Sequence, residues 1–192
     1  QEKTLFRALG IPTARFQAVD SEADLRAAVA EVGLPAVLKT RTMGYDGKGQ
    51  EVLESEADAA GAWQRLGEVP LILEARVAFD REVSMVAVRG VDGDCRFYPL
   101  VENVHRDGIL RESFPRPDDP AQAAAEANAR ALLEHLDYVG VAALEMFQAG
   151  DQLLANEMAP RVHNSGHWTI EGAETSQFEN HMRAVCGLPL GA

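Results

Sequence analysis

The sequence has little positive charge and few cysteines. Its 192 residues contain 18 Lys and Arg against 30 Asp and Glu, which gives a formal net charge of −12. Nucleic-acid-binding domains normally present a basic patch, so we expect no nucleic-acid partner. The two cysteines, Cys95 and Cys186, lie far apart and form no C-x-x-C pair. This usage is typical of reduced cytoplasmic thiols rather than of a disulfide framework.

Long hydrophobic runs are also missing. No apolar stretch approaches the roughly 20 residues that span a bilayer, so we expect no membrane association. The N-terminal QEKTLFRALG has the pattern of an amphipathic helix with charges in its first turn rather than of a signal peptide. The chain also has no initiator Met, which favours a piece of a longer polypeptide. Hydrophobic residues make up 46% and charged residues 25%, as in ordinary globular proteins.

A helix-then-strand pattern occurs twice in the first part of the chain. The tetrapeptide Ser-Glu-Ala-Asp occurs at 21–24 and again at 55–58, and a Ser followed three residues later by an acid is a helix start. We expect the second of these helices to continue to near Gly67. A proline and a short apolar strand follow each helix. Residues 16–75 therefore predict a compact α+β unit, preceded by an N-terminal helix within 1–15.

The remainder of the chain, 76–192, has the pattern of antiparallel strands. Asp92-Gly93 separates two apolar runs, which is a strong hairpin signal. The polar residues Asn103–Gly108 then predict a turn-like segment after a strand. A long Ala-rich helix is expected over 121–136, and a second hairpin follows it with its turn near Gly150-Asp151.

The second hairpin brings two acidic residues together. Around its turn, Glu145 falls opposite Glu157 or the neighbouring Asn156. Like charges placed directly across a strand pair are destabilising, and a divalent cation between them would remove that cost. Two carboxylates and an amide oxygen are ligands that suit Mg²⁺. The alternative is that one carboxylate simply faces solvent at a sheet edge.

A glycine-rich run, GYDGKG at 44–49, follows the strand that ends at Lys39. It is not a P-loop, because Gly49-Gln50 stands where that motif has the Ser or Thr that contacts the metal. Lys39, Arg41 and Lys48 nevertheless form a local positive cluster that suits a small phosphate ligand. With the opposed carboxylates, these are the parts that phosphoryl transfer uses, since it depends on positioning and charge neutralisation.

The segment PRVHNSGHW, residues 160–168, is dense in polar side chains. His163 and His167 have the spacing of two zinc ligands on one helix face. The Asn-Ser-Gly between them, shortly after a proline, favours a loop instead. Such a loop suits an anionic or hydroxylated small molecule, although an ordinary surface loop has the same composition.

Five segments of the chain carry a family resemblance: LKTRTMGYDGKGQ (38–50), REVSMVAVRGVDG (81–93), FYPLVENVHRDGILR (97–111), YVGVAALEMF (138–147) and NEMAPRVHNSGHWTIEGAETSQFE (156–179). Together they resemble the ATP-grasp family, most closely its 5-(carboxyamino)imidazole ribonucleotide synthases. The resemblance implies an α+β ATP-grasp fold with a small ATP-lid subdomain at 16–75 and a larger antiparallel-sheet catalytic subdomain at 76–192.

The resemblance also implies an activity. Enzymes of this family are ADP-forming carbon–nitrogen ligases that carboxylate 5-aminoimidazole ribonucleotide with bicarbonate and ATP, through carboxyphosphate, in purine biosynthesis. The implied cofactors are ATP and Mg²⁺, and the implied location is the cytoplasm. The family is commonly dimeric, so the resemblance implies a homodimer for the whole enzyme.

Roles for individual residues follow from the same resemblance. The implied nucleotide ligands, including a lid loop over the phosphates and a hinge strand at the adenine, are Lys39, Gly44, Tyr45, Asp46, Gly47, Lys48, Gly49, Gln50, Glu74, Ala75, Arg76, Val77, Glu82, His105, Asn156 and Glu157. The implied Mg²⁺ ligands are Glu145, Asn156 and Glu157. The implied ligands of bicarbonate and the ribonucleotide are Tyr45, Arg161, His163, Asn164, Ser165 and His167, with Arg161, Lys39 and His163 as the catalytic residues.

Two departures from the family pattern shape the expectations. Met43 stands where such lids often carry another glycine, and the family's N-terminal and small C-terminal domains are not part of these 192 residues. We therefore expect the chain to keep its metal and nucleotide ligands but to turn over poorly alone. Two alternatives remain open: another ATP-grasp ligase, such as the formate-using glycinamide ribonucleotide transformylase or a biotin carboxylase, and a non-catalytic ATP-binding module.

Overall fold

The computed structural model describes residues 2–42, 49–106 and 108–192. The helices of these residues are α1 (Glu2–Ala8), α2 (Glu22–Val32), α3 (Glu56–Ala59), α4 (Ala62–Arg65), α5 (Gln122–His135), α6 (Thr169–Gly172) and α7 (Gln177–Val185). The strands are β1 (Phe16–Val19), β2 (Ala36–Thr40), β3 (Gln50–Leu53), β4 (Leu71–Ala75), β5 (Arg81–Arg89), β6 (Cys95–Phe97), β7 (Leu100–Arg106), β8 (Ile109–Arg116), β9 (Gly140–Ala149) and β10 (Gln152–Ala159). Across these three ranges, no helix is long and apolar enough to cross a membrane.

The chain forms two compact units, which we call the four-stranded unit and the six-stranded unit. The four-stranded unit contains residues 14–78 with 108 and 109, and the six-stranded unit contains residues 2–13, 79–106 and 110–192. The four-stranded unit is an antiparallel sheet in the order β1-β4-β2-β3. Its core, which includes one face of α2, consists of Val19, Leu25, Ala28, Val32, Ala36, Leu38, Leu53, Ala62, Leu71 and Leu73.

The two Ser-Glu-Ala-Asp segments both begin helices, as predicted. Ser21 Oγ accepts a hydrogen bond from the backbone N–H of Asp24 at 3.1 Å, and α2 then continues to Val32. The prediction of one continuous second helix to near Gly67 is wrong, because α3 ends at Ala59 and α4 begins at Ala62. Gly61 lies between them with φ of 71°, in the left-handed region that glycine adopts at little cost.

The six-stranded unit is built on an antiparallel sheet in the order β10-β9-β5-β7-β8, with β6 also paired to β5. α1 and α5 cover one face, around a core that includes Phe6, Met85 and Leu144. On the other face α7 contacts β5 and β9, where Val86 and Ala143 are buried.

Two sequence predictions for this unit have different outcomes. The Asp92-Gly93 hairpin is confirmed, since Arg89 pairs with Cys95 across it. The turn predicted for Asn103–Gly108 is wrong over its first part, because Asn103 to Arg106 belong to β7. Asn103 pairs with Glu82 on β5, and cross-strand packing of this kind overrides local turn preferences.

Candidate functional site

The opposed carboxylates predicted for the second hairpin are present in the six-stranded unit. Glu157 on β10 pairs directly with Glu145 on β9. The register shifts between Ala155 and Glu157, so Asn156 is the extra residue of a β-bulge, a feature that often redirects side chains near functional sites. The Glu145 side chain is only 13% exposed. Two like charges therefore occupy a directly opposed pair on one sheet face, an arrangement that is destabilising by itself.

His163 holds one of these carboxylates. Its Nε2 lies 2.9 Å from Glu145 Oε1, while its Nδ1 lies 2.8 Å from Ser165 Oγ. The backbone N–H of Ser165 also donates to Nδ1, at 3.3 Å. Because Nδ1 accepts that hydrogen bond, the ring proton is on Nε2 and is donated to Glu145. His163 in this tautomer orients Glu145 without cancelling its charge.

A second carboxylate–imidazole pair belongs to the same unit. Nδ1 of His105, on β7, lies 2.9 Å from Glu82 Oε2 on β5. The hydrogen-bonding contact with Glu82 raises the pKa of His105 above its ordinary value, and Glu145 and Glu157 act in the same direction, against partial burial. Strand β5, which carries Glu82, pairs with β9, which carries Glu145, so the two carboxylate–imidazole pairs lie on neighbouring strands.

The polar loop after β10 has both buried and exposed side chains. Arg161, Asn164 and His167 are exposed, and Arg161 Nη1 donates to the carbonyl of Val162 at 2.9 Å. Ser165 is completely buried, and its hydroxyl contacts His163. The resemblance implied a direct contact of Ser165 with substrate, and that contact stays a prediction; in the structure the Ser165 hydroxyl supports the imidazole of His163.

The zinc alternative has no support from this loop. His163 contacts Glu145, whereas the ring of His167 stacks on Phe178 with centroids 5.8 Å apart. In the part of the chain that the structure describes, no three His, Cys, Asp or Glu side chains are grouped to hold a metal. Glu145, Glu157 and Asn156 instead offer oxygen donors, which is the donor set that Mg²⁺ takes together with water and phosphate oxygens.

The four-stranded unit contains a compensated charge pair. Lys39 Nζ on β2 lies 3.2 Å from Glu74 Oε2 on β4, with side-chain exposures of 26% and 8%. Gln50 pairs with Lys39 across the β2–β3 ladder. Gly49 has φ of 73°, and a Cβ there would lie 2.7 Å from Thr40 Oγ1. Another residue at this end of the loop would need a strained backbone and a shift of the Thr40 side chain. Gly44, Tyr45, Asp46, Gly47 and Lys48 lie outside the described residues.

Two backbone N–H groups of the strand predicted to contact adenine already donate hydrogen bonds to carbonyl groups of the protein. The backbone N–H of Ala75 donates to Arg15 O at 2.8 Å, and that of Arg76 donates to Pro35 O at 3.1 Å. An adenine bound at this strand would therefore meet carbonyl groups or Val77 rather than those two N–H groups. The Arg76 side chain pairs with Glu54 at 2.6 Å.

Arg41, part of the positive cluster seen in the sequence, is also engaged by the protein. Its Nε donates to Leu71 O at 2.7 Å, and its Nη2 lies 3.0 Å from Asp20 Oδ2. Its guanidinium therefore fastens the strand end, and a phosphate would have to compete with Asp20 for it.

A row of hydrogen-bonded polar side chains beside Glu145 was not predicted from the sequence. Ser84 pairs with Glu145 across the β5–β9 ladder and is completely buried. Asn103 Nδ2 donates to Ser84 Oγ at 2.5 Å, and Ser113 Oγ donates to Asn103 Oδ1 at 3.1 Å. A signal was present in REVSMVAV, since Glu82 and Ser84 alternate on one face of an otherwise apolar strand.

Comparison with known proteins agrees with this fold. The ATP-grasp domain model matches residues 4–178, and the chain therefore belongs to the ATP-grasp family. This confirms both the resemblance and the predicted α+β fold class.

Within this family, the chain is similar to proteins of one kind. The chain is 62% identical over 191 residues to the N5-carboxyaminoimidazole ribonucleotide synthase of Pseudomonas aeruginosa, covering 100% of this chain and 53% of that protein. It matches the crystal structure of the synthetase from Thermus thermophilus with a TM-score of 0.92 and 59% identity, over 99% of this chain and 52% of that one. It also matches the Aspergillus clavatus synthase in complex with ADP and 5-aminoimidazole ribonucleotide, with a TM-score of 0.89 and 33% identity, over 99% and 51%. The chain spans about half the length of the curated relatives that it matches.

Proposed function

We propose that the protein to which this chain belongs is an ATP-dependent carboxylase of 5-aminoimidazole ribonucleotide. Its products would be N5-carboxyaminoimidazole ribonucleotide, ADP and phosphate. The observation that carries the proposal is the opposed Glu145–Glu157 pair, with His163 bound to Glu145. The names of the relatives, one of them in complex with ADP and 5-aminoimidazole ribonucleotide, support the choice of substrates.

The proposed reaction has two group transfers. A bicarbonate oxygen attacks the γ-phosphorus of ATP, the bond from that phosphorus to the bridging oxygen breaks, and ADP leaves with the electron pair. The resulting carboxyphosphate breaks its carbon–oxygen bond to give phosphate and CO₂. The exocyclic amine of the ribonucleotide then forms a bond to that carbon and loses a proton.

Residues of the six-stranded unit have roles in charge control and substrate binding. Glu145, Asn156 and Glu157 would hold Mg²⁺, which when bound neutralises charge on the phosphate oxygens. His163 keeps Glu145 oriented. Arg161 is exposed, and a guanidinium binds carboxylate and phosphate oxygens in a two-point fork.

The remaining predicted ligands complete the proposal. Glu82, beside His105, would accept hydrogen bonds from the ribose, and Asn164 and His167 are exposed at the loop where the ribonucleotide would bind. In the four-stranded unit, Lys39 would contact a phosphate and the Ala75–Val77 backbone the adenine. The glycine-rich loop at 44–49 would exclude water, which matters because carboxyphosphate is short-lived in water.

The setting of the enzyme is part of the same proposal. Cys95 and Cys186 are both free thiols, which fits a reducing cytoplasm. We also propose that the whole enzyme is a homodimer, as is common in the family, and that bicarbonate is its one-carbon donor.

The test is ADP release by the full-length protein that contains this chain. The assay contains ATP, Mg²⁺ and bicarbonate, with or without 5-aminoimidazole ribonucleotide. We expect stimulation by the ribonucleotide, its loss in Glu157→Gln, and its retention in the control Glu112→Gln, whose exposed carboxylate pairs with the exposed side chain of Arg106. ATP binding without stimulation would contradict the proposal and favour another ligase or a binding module. The 192-residue chain alone should turn over poorly.

A further inference from the structure

Gln177, the first residue of α7, has a fully buried side chain that is hydrogen-bonded to the polar loop. Its Oε1 accepts from the backbone N–H of His163 at 3.0 Å, and its Nε2 donates to the backbone carbonyl of His163 at 2.6 Å. One amide thus satisfies both backbone groups of the residue that contacts Glu145. A buried side chain with two such bonds has little freedom to move, because breaking either bond leaves a polar group unsatisfied.

The backbone of Gln177 fixes the far end of the same loop. Its N–H donates to Thr169 Oγ1 at 2.9 Å, and that hydroxyl donates to the carbonyl of Gly166 at 2.6 Å. A Cβ at Gly166 would lie 2.6 Å from Gln177 Oε1. The loop therefore approaches the amide as closely as a glycine allows, and one residue anchors both His163 and Thr169.

We propose that Gln177 is a positioning residue for the metal-binding carboxylate. It holds the His163 backbone, and the position of that backbone directs the Nε2–H toward Glu145. The inference rests on the proposed function, in which Glu145 binds Mg²⁺. Groups that support a metal ligand without touching the metal typically change metal affinity by about 10–100-fold when they are lost.

A purely structural role for a buried amide on α7 is the competing explanation, and the helix offers a matched control. Asn180 is 1% exposed. Its Nδ2 donates to Tyr98 Oη at 2.9 Å, and its Oδ1 accepts from the Gly191 N–H at 2.8 Å. Asn180 therefore fastens the same helix with a buried amide, but to residues outside the 163–169 loop.

The experiment compares Gln177→Leu, Gln177→Glu, Gln177→Asn and Asn180→Leu in the 192-residue chain. Three quantities are measured: the melting temperature, the ¹⁵N chemical shifts of the His163 imidazole without metal, and the Mg²⁺ concentration that gives half-maximal ATP binding. The His163 signals are identified by their loss in His163→Gln.

We expect both Leu variants to lower the melting temperature to a similar extent. Gln177→Leu should also shift the His163 signals and raise the Mg²⁺ midpoint about 10-fold. Asn180→Leu should leave both unchanged. Gln177→Glu, which keeps an acceptor for the His163 N–H but turns a carboxylate oxygen toward its carbonyl, should shift the His163 signals as well. Gln177→Asn, whose amide is one methylene shorter, should have an intermediate effect and provides the answer if the other two Gln177 variants do not fold.

An unchanged His163 spectrum in the folded Gln177 variants would overturn the inference. So would a wild-type Mg²⁺ midpoint in a variant with altered His163 signals. If ATP binding by the unmodified chain does not depend on Mg²⁺, the proposed function fails instead, and the metal-free spectrum still decides whether Gln177 positions the imidazole.

Discussion

The two units pair their partly or fully buried carboxylates with different kinds of partner. In the six-stranded unit, Glu145 and Glu82 each contact an imidazole, His163 and His105 respectively. In the four-stranded unit, Glu74 contacts the ammonium group of Lys39. An imidazole carries a full charge only when it is protonated, whereas a lysine is charged at neutral pH unless it is strongly desolvated.

Because of this difference, the two pairs differ in how much charge they leave available for a ligand. A neutral imidazole that donates a hydrogen bond fixes the direction of a carboxylate and leaves its negative charge in place, so Glu145 with Glu157 still favours a cation. Lys39 and Glu74 compensate each other, so a phosphate must compete with Glu74 for the lysine. Changes at Glu145 or Glu157 should therefore alter how ATP affinity depends on Mg²⁺. Changes at Lys39 should alter the affinity for the phosphate groups of ATP.

Removing one of the opposed carboxylates should have the largest effect. Glu157→Gln keeps the shape but removes one charge, and we expect the Mg²⁺-dependent affinity for ATP to fall by about 100-fold or more, since even supporting residues cost about 10–100-fold. Without metal, the free energy of unfolding should change by no more than about 0.5 kcal/mol, because Glu157 is exposed and exposed charges contribute little to stability. Calorimetric titration and urea unfolding measure the two quantities.

A loss of Mg²⁺-dependent affinity with an almost unchanged free energy of unfolding is what distinguishes a metal site from a solvent-facing sheet edge. Glu112→Gln, on the exposed β8 strand, provides the control and should alter neither quantity appreciably. A Glu157→Gln variant with normal Mg²⁺ dependence would contradict the metal assignment and remove the contrast between the two units.

Breaking the compensated pair should have a smaller effect on ATP affinity. Lys39→Met should weaken ATP binding about 10-fold, which corresponds to a charged hydrogen bond of roughly 1.5 kcal/mol. It should also lower the free energy of unfolding by about 1–2 kcal/mol, less than for a fully buried pair because Lys39 is partly exposed. The double variant Lys39→Met/Glu74→Gln should regain stability but not ATP affinity. Equal recovery of both would show that Lys39 acts only through Glu74.

The sequence predicted the site best where the chemistry depends on strand periodicity. The turn at Gly150-Asp151 fixed the pairing of β9 with β10 as far as Ala155, which left Asn156 or Glu157 opposite Glu145. The β-bulge at Asn156, which the sequence did not predict, places Glu157 there. The capped start of α2 was equally predictable, because its signal is local. The end of α3 was not, since Ala and Gly at 60 and 61 fit either a helix or a break until the packing of α4 is known.

Contacts between distant residues could not be obtained from one sequence. The order of residues does not show that the carbonyl of Pro35 accepts a hydrogen bond from the N–H of Arg76. Nor does it show that Asn103 is hydrogen-bonded to both Ser84 and Ser113. These contacts depend on which strands become neighbours. For Ser165, which the resemblance assigned to the substrate, the structure shows a contact with His163, and the contact with substrate stays a prediction.

The smallest predicted effect is a pH dependence that belongs to one unit alone. The pKa of His105 is raised in the folded protein by its contact with Glu82. A raised folded-state pKa means that the pair contributes its full stability below the ordinary histidine value of 6.5 and loses it as pH rises through the folded-state pKa. The contribution should be about 1 kcal/mol or less, because the pair is partly solvated. Residues 14–78 contain no histidine, so the four-stranded unit should show no matching change.

Hydrogen exchange of backbone amides, corrected for the intrinsic effect of pH, measures the two units separately in one sample. Between about pH 6 and pH 8, protection should decrease in strands β5 and β7 of the wild-type chain and stay level in β2 and β4. His105→Gln should flatten the first profile, because glutamine can contact Glu82 without titrating. Equal slopes in wild type and His105→Gln would assign the pH dependence to another histidine, and a slope in β2 and β4 would show that the charge balance of the four-stranded unit also changes in this range.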